Sequence, residues 1–129
     1  MNSLILPSTN FTPAVTFHPN GHLSISGKAR KIKVCNFFKP LFDWLEEYRY
    51  APYQNTILNL EFEILHVDSL VKIIDICRML ATMSKTDHNV SINWYYEEED
   101  EDMQEMAEMI SELFKTVPVN KIMITKDLA

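Results

Sequence analysis

Glycine is scarce in this sequence, with two residues among 129. The loops that cradle nucleotide phosphates depend on several glycines, as in the G-x-G-x-x-G and G-x-x-x-x-G-K-[ST] motifs, and neither motif occurs. A G-x-S-x-G nucleophile elbow is absent as well. The sequence therefore contains no signature of a nucleotide site or of a serine hydrolase.

Cysteine is equally scarce, and the two cysteines form no metal-binding or disulfide motif. Cys35 and Cys77 lie far apart, neither belongs to a C-x-x-C pair, and each lies among apolar residues. This pattern predicts reduced thiols in the core of a cytoplasmic protein. No H-E-x-x-H motif occurs, and no metal-ligand spacing links the four histidines, His18, His22, His66 and His88. We therefore expect neither a metal nor another cofactor.

Positive charge is limited, because 12 lysines and arginines stand against 18 acidic residues and give a net charge of −6. A nucleic-acid binder needs clustered basic side chains to neutralise phosphates, so we expect no nucleic-acid partner. Only the segment from Lys28 to Lys33 is locally basic. It is typical of a solvated loop, although it could also bind an acidic partner.

Low-complexity linkers and long apolar runs are missing too. The amino terminus has no basic stretch followed by an apolar segment, and no apolar run is long enough to cross a bilayer. We expect a cytoplasmic protein that does not insert into a membrane. The length suits one predicted domain, residues 1–129.

What the sequence does contain is an alternation of strand and helix patterns. Two strands are predicted around the turn residues Asn20 and Gly21, and three more in the stretches NTILNLEFEIL, NVSINWYY and NKIMITK. Apolar residues recur at helical spacing in three segments, Asn36–Tyr50, Ser69–Met83 and Asp102–Phe114. The order β-β-α-β-α-β-α-β predicts an α/β fold with a mixed, mostly parallel sheet.

The third predicted helix begins with a run of acidic residues, from Glu97 to Asp102. A calcium loop needs ligands that alternate around a glycine turn, and these acids are consecutive, so the run is typical of a solvated helix start. The apolar face that follows consists of Met103, Met106, Ala107, Ile110, Leu113 and Phe114. This face predicts core packing, although exposed methionines also form adaptable binding surfaces.

A junction of four residues, His66, Val67, Asp68 and Ser69, connects the central predicted strand to the second helix. Backbone N–H groups at a helix start favour a phosphate or a carboxylate there. A hydrolase that uses Ser69 with His66 and Asp68 is not expected, because all three lie within one turn. Asp68 or Ser69 is instead predicted to cap the helix.

Several stretches together resemble one protein family over nearly the whole chain. They are TPAVTF, GHLSISGK, FFKPLFDWLEEY, LNLEFEIL followed by IIDICRML, and VSINWYYEEEDEDMQEMAEM. Their aromatic and apolar positions are similar, in order and in spacing, to those of the SiaC family of bacterial regulatory phosphoproteins. The resemblance implies a fold of the STAS type, found in anti-sigma-factor antagonists, with the helices mainly on one face of the sheet.

The resemblance also implies a regulatory role without catalysis. Partner-switch proteins of this type are phosphorylated at a helix start by a regulatory protein kinase, and a PP2C-type phosphatase removes the phosphate. One of the two forms binds the target, which for the SiaC family is a diguanylate cyclase that makes cyclic di-GMP and so controls biofilm formation. We therefore expect a kinase, a phosphatase or a cyclase as partner.

The family's phosphorylated segment, Asn-Thr-Ser-Ser, falls on the same four-residue junction and places its acceptor threonine at Val67. Valine has no hydroxyl, so phosphorylation at the family position is not expected. Asp68 adds one negative charge where a phosphate adds roughly 1.5 to 2, and Ser69 is a candidate substitute acceptor. The resemblance implies a partner-binding surface made of His66, Val67, Asp68, Ser69 and Leu70.

A second departure from the family lies between Ala29 and Lys33, where the family tends to have a Ser-x-Pro-Glu-Asn-like segment. Lys31 and Ile32 replace its proline and its acid, which reverses the local charge. Two functions stay open: a switch protein, or a constitutive scaffold that binds one partner through the methionine-rich helix or the basic loop. An enzyme of another class is the least favoured reading.

Overall fold

The computed structural model describes residues 1–84 and 88–125. Along these residues, six strands and three helices follow one another. The strands are β1 (Leu4–Leu6), β2 (Ala14–Phe17), β3 (His22–Ala29), β4 (Asn55–Leu65), β5 (Asn89–Glu97) and β6 (Val119–Ile124). The helices are α1 (Val34–Tyr48), α2 (Val67–Met83) and α3 (Glu101–Leu113).

The six strands form one sheet in their sequence order, from β1 to β6. The pairs β1–β2 and β2–β3 are antiparallel, whereas β3–β4, β4–β5 and β5–β6 are parallel. One helix joins each parallel pair, and right-handed crossovers between successive neighbours put all three helices on the same face. The predicted mixed, mostly parallel sheet is confirmed, with β4 in its interior.

The core lies between the sheet and this single layer of helices. Side chains alternate along the strands, and the fully buried ones on β2 to β5 include Val15, Phe17, Leu23, Ile25, Leu58, Leu60, Ile92 and Trp94. Opposite them the helices contribute Leu41, Leu45, Ile73, Ile76, Leu80 and Ile110. The intervening side chains, such as Asn59 and Glu61, are half-buried or exposed. Only one face of the sheet is therefore packed against helices in the described part of the chain.

The hairpin between β2 and β3 confirms the predicted turn. Its geometry differs from that of a tight turn in which both Asn20 and Gly21 have a positive φ. Gly21 has a φ of 93° and donates from its N–H to the His18 carbonyl oxygen over 3.1 Å, whereas Asn20 does not have a positive φ. A side chain at Gly21 would place its Cβ 2.0 Å from the Asn55 carbonyl oxygen, at the start of β4. The turn therefore requires glycine for its backbone angle and for the close approach of β4.

The start of α1 differs from the prediction and changes which side chains are exposed. The helix begins at Val34 instead of Asn36, which puts Pro40 in its second turn rather than its first. Because proline has no N–H, the Asn36 carbonyl receives no helical hydrogen bond from it. Cys35 is exposed, so its predicted place in the core was wrong.

Two smaller features were also not anticipated. β1 has only three residues, too few for a recognisable pattern, and it pairs along the edge of the sheet with Leu4 opposite Phe17. α3 ends at Leu113, whose side chain is 51% exposed although its position predicted burial. Neither difference alters the order of the parallel strands. This order determines where the candidate site lies.

Candidate functional site

The candidate site lies where β4 ends and α2 begins, at the edge formed by the carboxyl ends of the parallel strands. β4 ends at Leu65 and α2 begins at Val67, so His66 alone connects them. The His66 backbone N–H donates to the Ala29 carbonyl oxygen over 2.7 Å, which holds the junction beside the end of β3. In open α/β sheets this edge is where ligands commonly bind.

His66 is the residue that caps α2. Its backbone is extended, with φ −68° and ψ 146°, and its Nδ1 accepts a hydrogen bond from the Asp68 N–H at 3.2 Å. A neutral imidazole that accepts at Nδ1 has its proton on Nε2. The prediction that Asp68 or Ser69 caps the helix was wrong, because α2 begins two residues before its predicted start at Ser69.

Two of the first outward-facing side chains of α2 are apolar. Val67 is 61% exposed, and Val71, one turn later, is 50% exposed. Residues four apart lie on the same side of a helix, so the two form a small apolar surface, here called the valine patch. Leu70 beside them is half-buried and packs against the core. Since neither valine has a hydroxyl, the exposed start of α2 offers no phosphate acceptor on this patch.

Asp68 and Ser69 belong to the same turn but have opposite environments. The Asp68 side chain is 54% exposed, and its charge is favourable at the positive end of the helix dipole. Ser69 is fully buried, and its hydroxyl has no hydrogen-bond partner among the described residues. Ser69 therefore makes no catalytic contact with His66 or Asp68. A kinase can reach its hydroxyl only if the first turn of α2 opens.

A basic segment, Lys28–Lys33, borders the start of α2 on the β3 side. Its first two residues end β3, and its last four form the predicted solvated loop. Arg30 is anchored, since its Nε donates to the Asn10 carbonyl oxygen over 2.6 Å. Lys31 and Lys33 are exposed. The hydrogen bond from His66 to the end of β3 brings this segment next to the α2 start.

An acidic segment, Glu97–Asp102, borders the start of α2 on the β5 side. Asp100 caps α3, because its side chain accepts a hydrogen bond from the Met103 N–H at 3.1 Å. Glu101 and Asp102 occupy the first turn, where the helix dipole favours negative charge. The predicted acidic helix start is confirmed.

Two features are absent from residues 1–84 and 88–125, a cluster of metal-binding side chains and a membrane-spanning helix. No cluster of three or more histidine, cysteine, aspartate or glutamate side chains there is arranged to hold a metal ion. None of the helices has the length and apolar character needed to cross a bilayer.

The methionine-rich helix and the two thiols divide between core and surface. On α3, Met103 is buried as the core interpretation predicted, whereas Met109 is 36% exposed. Cys77 is buried on α2, and desolvation raises the pKa of its thiol to about 12. Cys35, near the start of α1, is exposed, and both cysteines are free thiols. Because the thiolate is the reactive form, Cys77 is inert while the protein is folded.

An asparagine ladder crosses the uncovered face of the sheet and was not anticipated from the sequence. Asn93 donates from Nδ2 to Asn59 Oδ1, and Asn120 donates from Nδ2 to Asn93 Oδ1, both over 2.9 Å. The three residues are register partners on β4, β5 and β6. Asparagine is depleted in strands, so its recurrence in three predicted strands was the available signal. The ladder lies on the face of the sheet opposite α2.

Comparisons with known proteins agree with this architecture. The family model described as SiaC family regulatory phosphoprotein matches residues 6–124. A protein of Pseudomonas aeruginosa (strain UCBPP-PA14) is 27% identical over 113 residues, which are 87% of this chain and 90% of that protein. The structure of SiaC of Pseudomonas aeruginosa matches with a TM-score of 0.87 at 25% identity, over 96% of this chain and 100% of that one. A chain in the structure of the diguanylate cyclase SiaD in complex with its activator SiaC, from the same organism, matches with a TM-score of 0.84 at 25% identity, over 94% and 99%.

Proposed function

We propose that this chain, which belongs to the SiaC family of regulatory phosphoproteins, is a non-catalytic activator that binds a diguanylate cyclase. The support is the likeness to SiaC of Pseudomonas aeruginosa, which is the activator of the cyclase SiaD. The likeness extends over nearly the whole of both chains, so it concerns the complete fold rather than one segment. The proposal places the protein in the cytoplasm together with the enzyme that it regulates.

The proposed contact surface is the start of α2. The main support for this surface is the exposure of Val67 and Val71. They lie at the carboxyl ends of the parallel strands, where ligands commonly bind in open α/β sheets. Burial of both partly exposed valines against a partner contributes roughly 2 to 3 kcal/mol. His66 and Asp68 surround the patch with polar groups, while Ser69 is buried beneath it.

We further propose that this surface binds its partner constitutively. Val67 occupies the position that the family resemblance gives to the phosphorylated threonine, and Ser69 is buried. A phosphate would place roughly 1.5 to 2 additional negative charges beside Asp68 and over the valine patch, which opposes burial of that patch. On this proposal the family's regulatory kinase and PP2C-type phosphatase have no substrate at residue 67.

The test is activation of purified diguanylate cyclases from the same organism by this chain. We expect the rate of cyclic di-GMP formation from GTP to rise when the wild-type protein is added. Val67→Asp places a charge in the contact and is expected to weaken the activation at least about tenfold, because burying an unpaired charge is unfavourable.

Leu113→Asp is the matched control. Leu113 is also an exposed apolar residue on a helix, but it lies at the end of α3, on the opposite edge of the sheet. We expect this variant to activate the cyclase as the wild type does. Failure of the wild type to activate any of the cyclases, or equal losses in the two variants, contradicts the proposed function.

A further inference from the structure

Several exposed charges on the helices and on β6 have a partner within the chain. The ion pairs are Lys39 with Asp43, Arg49 with Glu46, Arg78 with Asp75, and Lys121 with Glu108. The exposed charges on either side of the α2 start have no such partner in the described part of the chain, and the same holds for several charges elsewhere, among them Glu47, Glu112 and Lys115. Within residues 1–84 and 88–125 the following form no ion pair: Lys31, Lys33, Glu98, Glu99 and Glu101. Both signs of charge are thus present at one edge without neutralising each other.

The topology explains why the basic and acidic segments stay apart. β3, β4 and β5 are parallel neighbours, so the segments that follow them emerge at the same edge and in the same order. The basic segment comes first, the valine patch second and the acidic segment third. Neighbouring packed helices lie roughly 10 Å apart, so the start of α2 separates the two charged segments. The edge is positive on one side, apolar in the middle and negative on the other side.

We propose that this edge binds a second copy of the same chain. Rotation of one copy by half a turn about an axis through the valine patch brings the basic segment of each copy opposite the acidic segment of the other. Such an isologous contact uses the same surface twice, so both charged contacts are attractive at once. The two valine patches meet at the axis, where Val67 and Val71 leave water. The net charge of −6 opposes association in orientations that lack this complementarity.

The dimer has a regulatory consequence, which rests on the proposed function. It covers the valine patch, so one molecule can bind either a second copy or the cyclase. Ion pairs at a surface are individually weak and are screened by salt, so we expect a micromolar dissociation constant that rises with ionic strength. Protein concentration, instead of phosphorylation, then sets how much of the cyclase-binding surface is free.

Sedimentation equilibrium of the full chain tests the dimer. We expect a monomer–dimer equilibrium at low salt and a Kd at least about tenfold higher at high salt, where charges are screened. Lys31→Glu with Lys33→Glu cancels the net charge of the basic segment, which is +4 in the wild type, and Glu99→Lys with Glu101→Lys reduces that of the acidic segment from −6 to −2. Each double variant alone is expected to dimerise at least about tenfold more weakly than the wild type. In an equimolar mixture the unchanged basic segment of one variant faces the unchanged acidic segment of the other, so a heterodimer should form more tightly than either homodimer.

Arg49→Glu with Lys115→Glu is the matched control, because it changes the net charge as much as the lysine reversal does. Both residues are exposed and lie at the ends of α1 and α3, on the opposite edge of the sheet. This variant is expected to keep the dimer. A wild type that stays monomeric at low salt, a dimer that is as tight in either charge variant as in the wild type, or a mixture that forms no heterodimer overturns the proposal. No cyclase is needed, so failure of the dimer and failure of cyclase activation are separate results.

Discussion

Helices α2 and α3 begin at the same edge of the sheet, yet their starts are built differently. α3 has an aspartate cap, Asp100, and acidic residues in its first turn. α2 has a histidine cap, His66, and exposes Val67 to water. Aspartate is among the preferred capping residues and histidine is not. The start of α3 therefore has a residue that stabilises a helix start, whereas the start of α2 lacks one. Departures of this kind are common at functional sites.

The largest expected effect comes from giving the α2 start the hydroxyl that Val67 lacks. Incubated with a SiaC-family kinase and ATP, the wild-type chain should stay unmodified, and Val67→Thr should gain one phosphate because residue 67 is 61% exposed. Intact-mass measurement distinguishes the two. Val71→Thr, exposed one turn later and outside the family segment, is the control and should stay unmodified.

Two other results of the kinase experiment would change the role proposed for the α2 start. A phosphate on the wild-type chain that disappears in Ser69→Ala would show that the first turn of α2 opens and that the switch has moved to Ser69. Transfer to neither the wild type nor Val67→Thr would remove the family kinase from the expected partners.

The next effect concerns the buried side of α2, opposite its exposed start. Burial raises the pKa of the Cys77 thiol from 9.0 to about 12. Above the unfolded value, the thiol ionises in the unfolded chain but stays neutral in the folded chain, so the unfolded state binds fewer protons and stability falls as pH rises. Between about pH 8 and pH 10 this loss amounts to roughly 1.4 kcal/mol.

Urea denaturation at both pH values checks the Cys77 prediction. Cys77→Ala removes the titrating thiol, so the stability of this variant should fall less between the two pH values than that of the wild type. Equal losses in the two proteins would mean that the thiol is not desolvated in the folded state.

A smaller effect is expected from the orphaned hydroxyl beneath the α2 start. The Ser69 hydroxyl is buried without a partner in the described structure, so removing it relieves a desolvation cost. Ser69→Ala should raise the free energy of unfolding by about 1 kcal/mol, measured by urea denaturation. Ser111→Ala is the comparison, because that hydroxyl donates to the Glu108 carbonyl oxygen over 2.7 Å. A loss of stability in Ser69→Ala would show that its hydroxyl is hydrogen-bonded after all.

The smallest effect tests the two caps directly. His66→Asn supplies a preferred capping side chain to α2 and should raise stability by about 0.5 kcal/mol. Asp100→Asn exchanges one preferred cap for another on α3 and should be nearly neutral. Thermal or urea unfolding of the two variants gives the comparison, and a clear loss in His66→Asn would show that histidine is needed for more than the cap.

Much of the fold could be predicted because its signals are local. The alternation along β4 and the helical period of α2 predicted both elements, and the acidic run predicted how α3 begins. The start of α1 could not be predicted in the same way, since Lys33 precedes it and forms no side-chain cap. Where a helix begins without a capping side chain, the sequence contains no start signal.

The candidate site could be located from the sequence, but its geometry could not. Each residue turns a helix by about 100°, so a start displaced by two residues changes which side chains face the core. The predicted start at Ser69 made its hydroxyl a surface group, whereas the actual start at Val67 leaves that hydroxyl buried. Val71 was an available signal of an exposed apolar surface on α2, because it is apolar but lies outside the apolar stripe of its helix.

Hydrogen–deuterium exchange of the chain with and without a diguanylate cyclase measures whether the enzyme binds at the start of α2. Exchange in residues 65–75 and in the adjacent basic segment should slow when the cyclase is present. Residues 106–113 of α3 should show no change. Protection confined to α3, or to the strands that display the asparagine ladder, would show that the cyclase binds elsewhere.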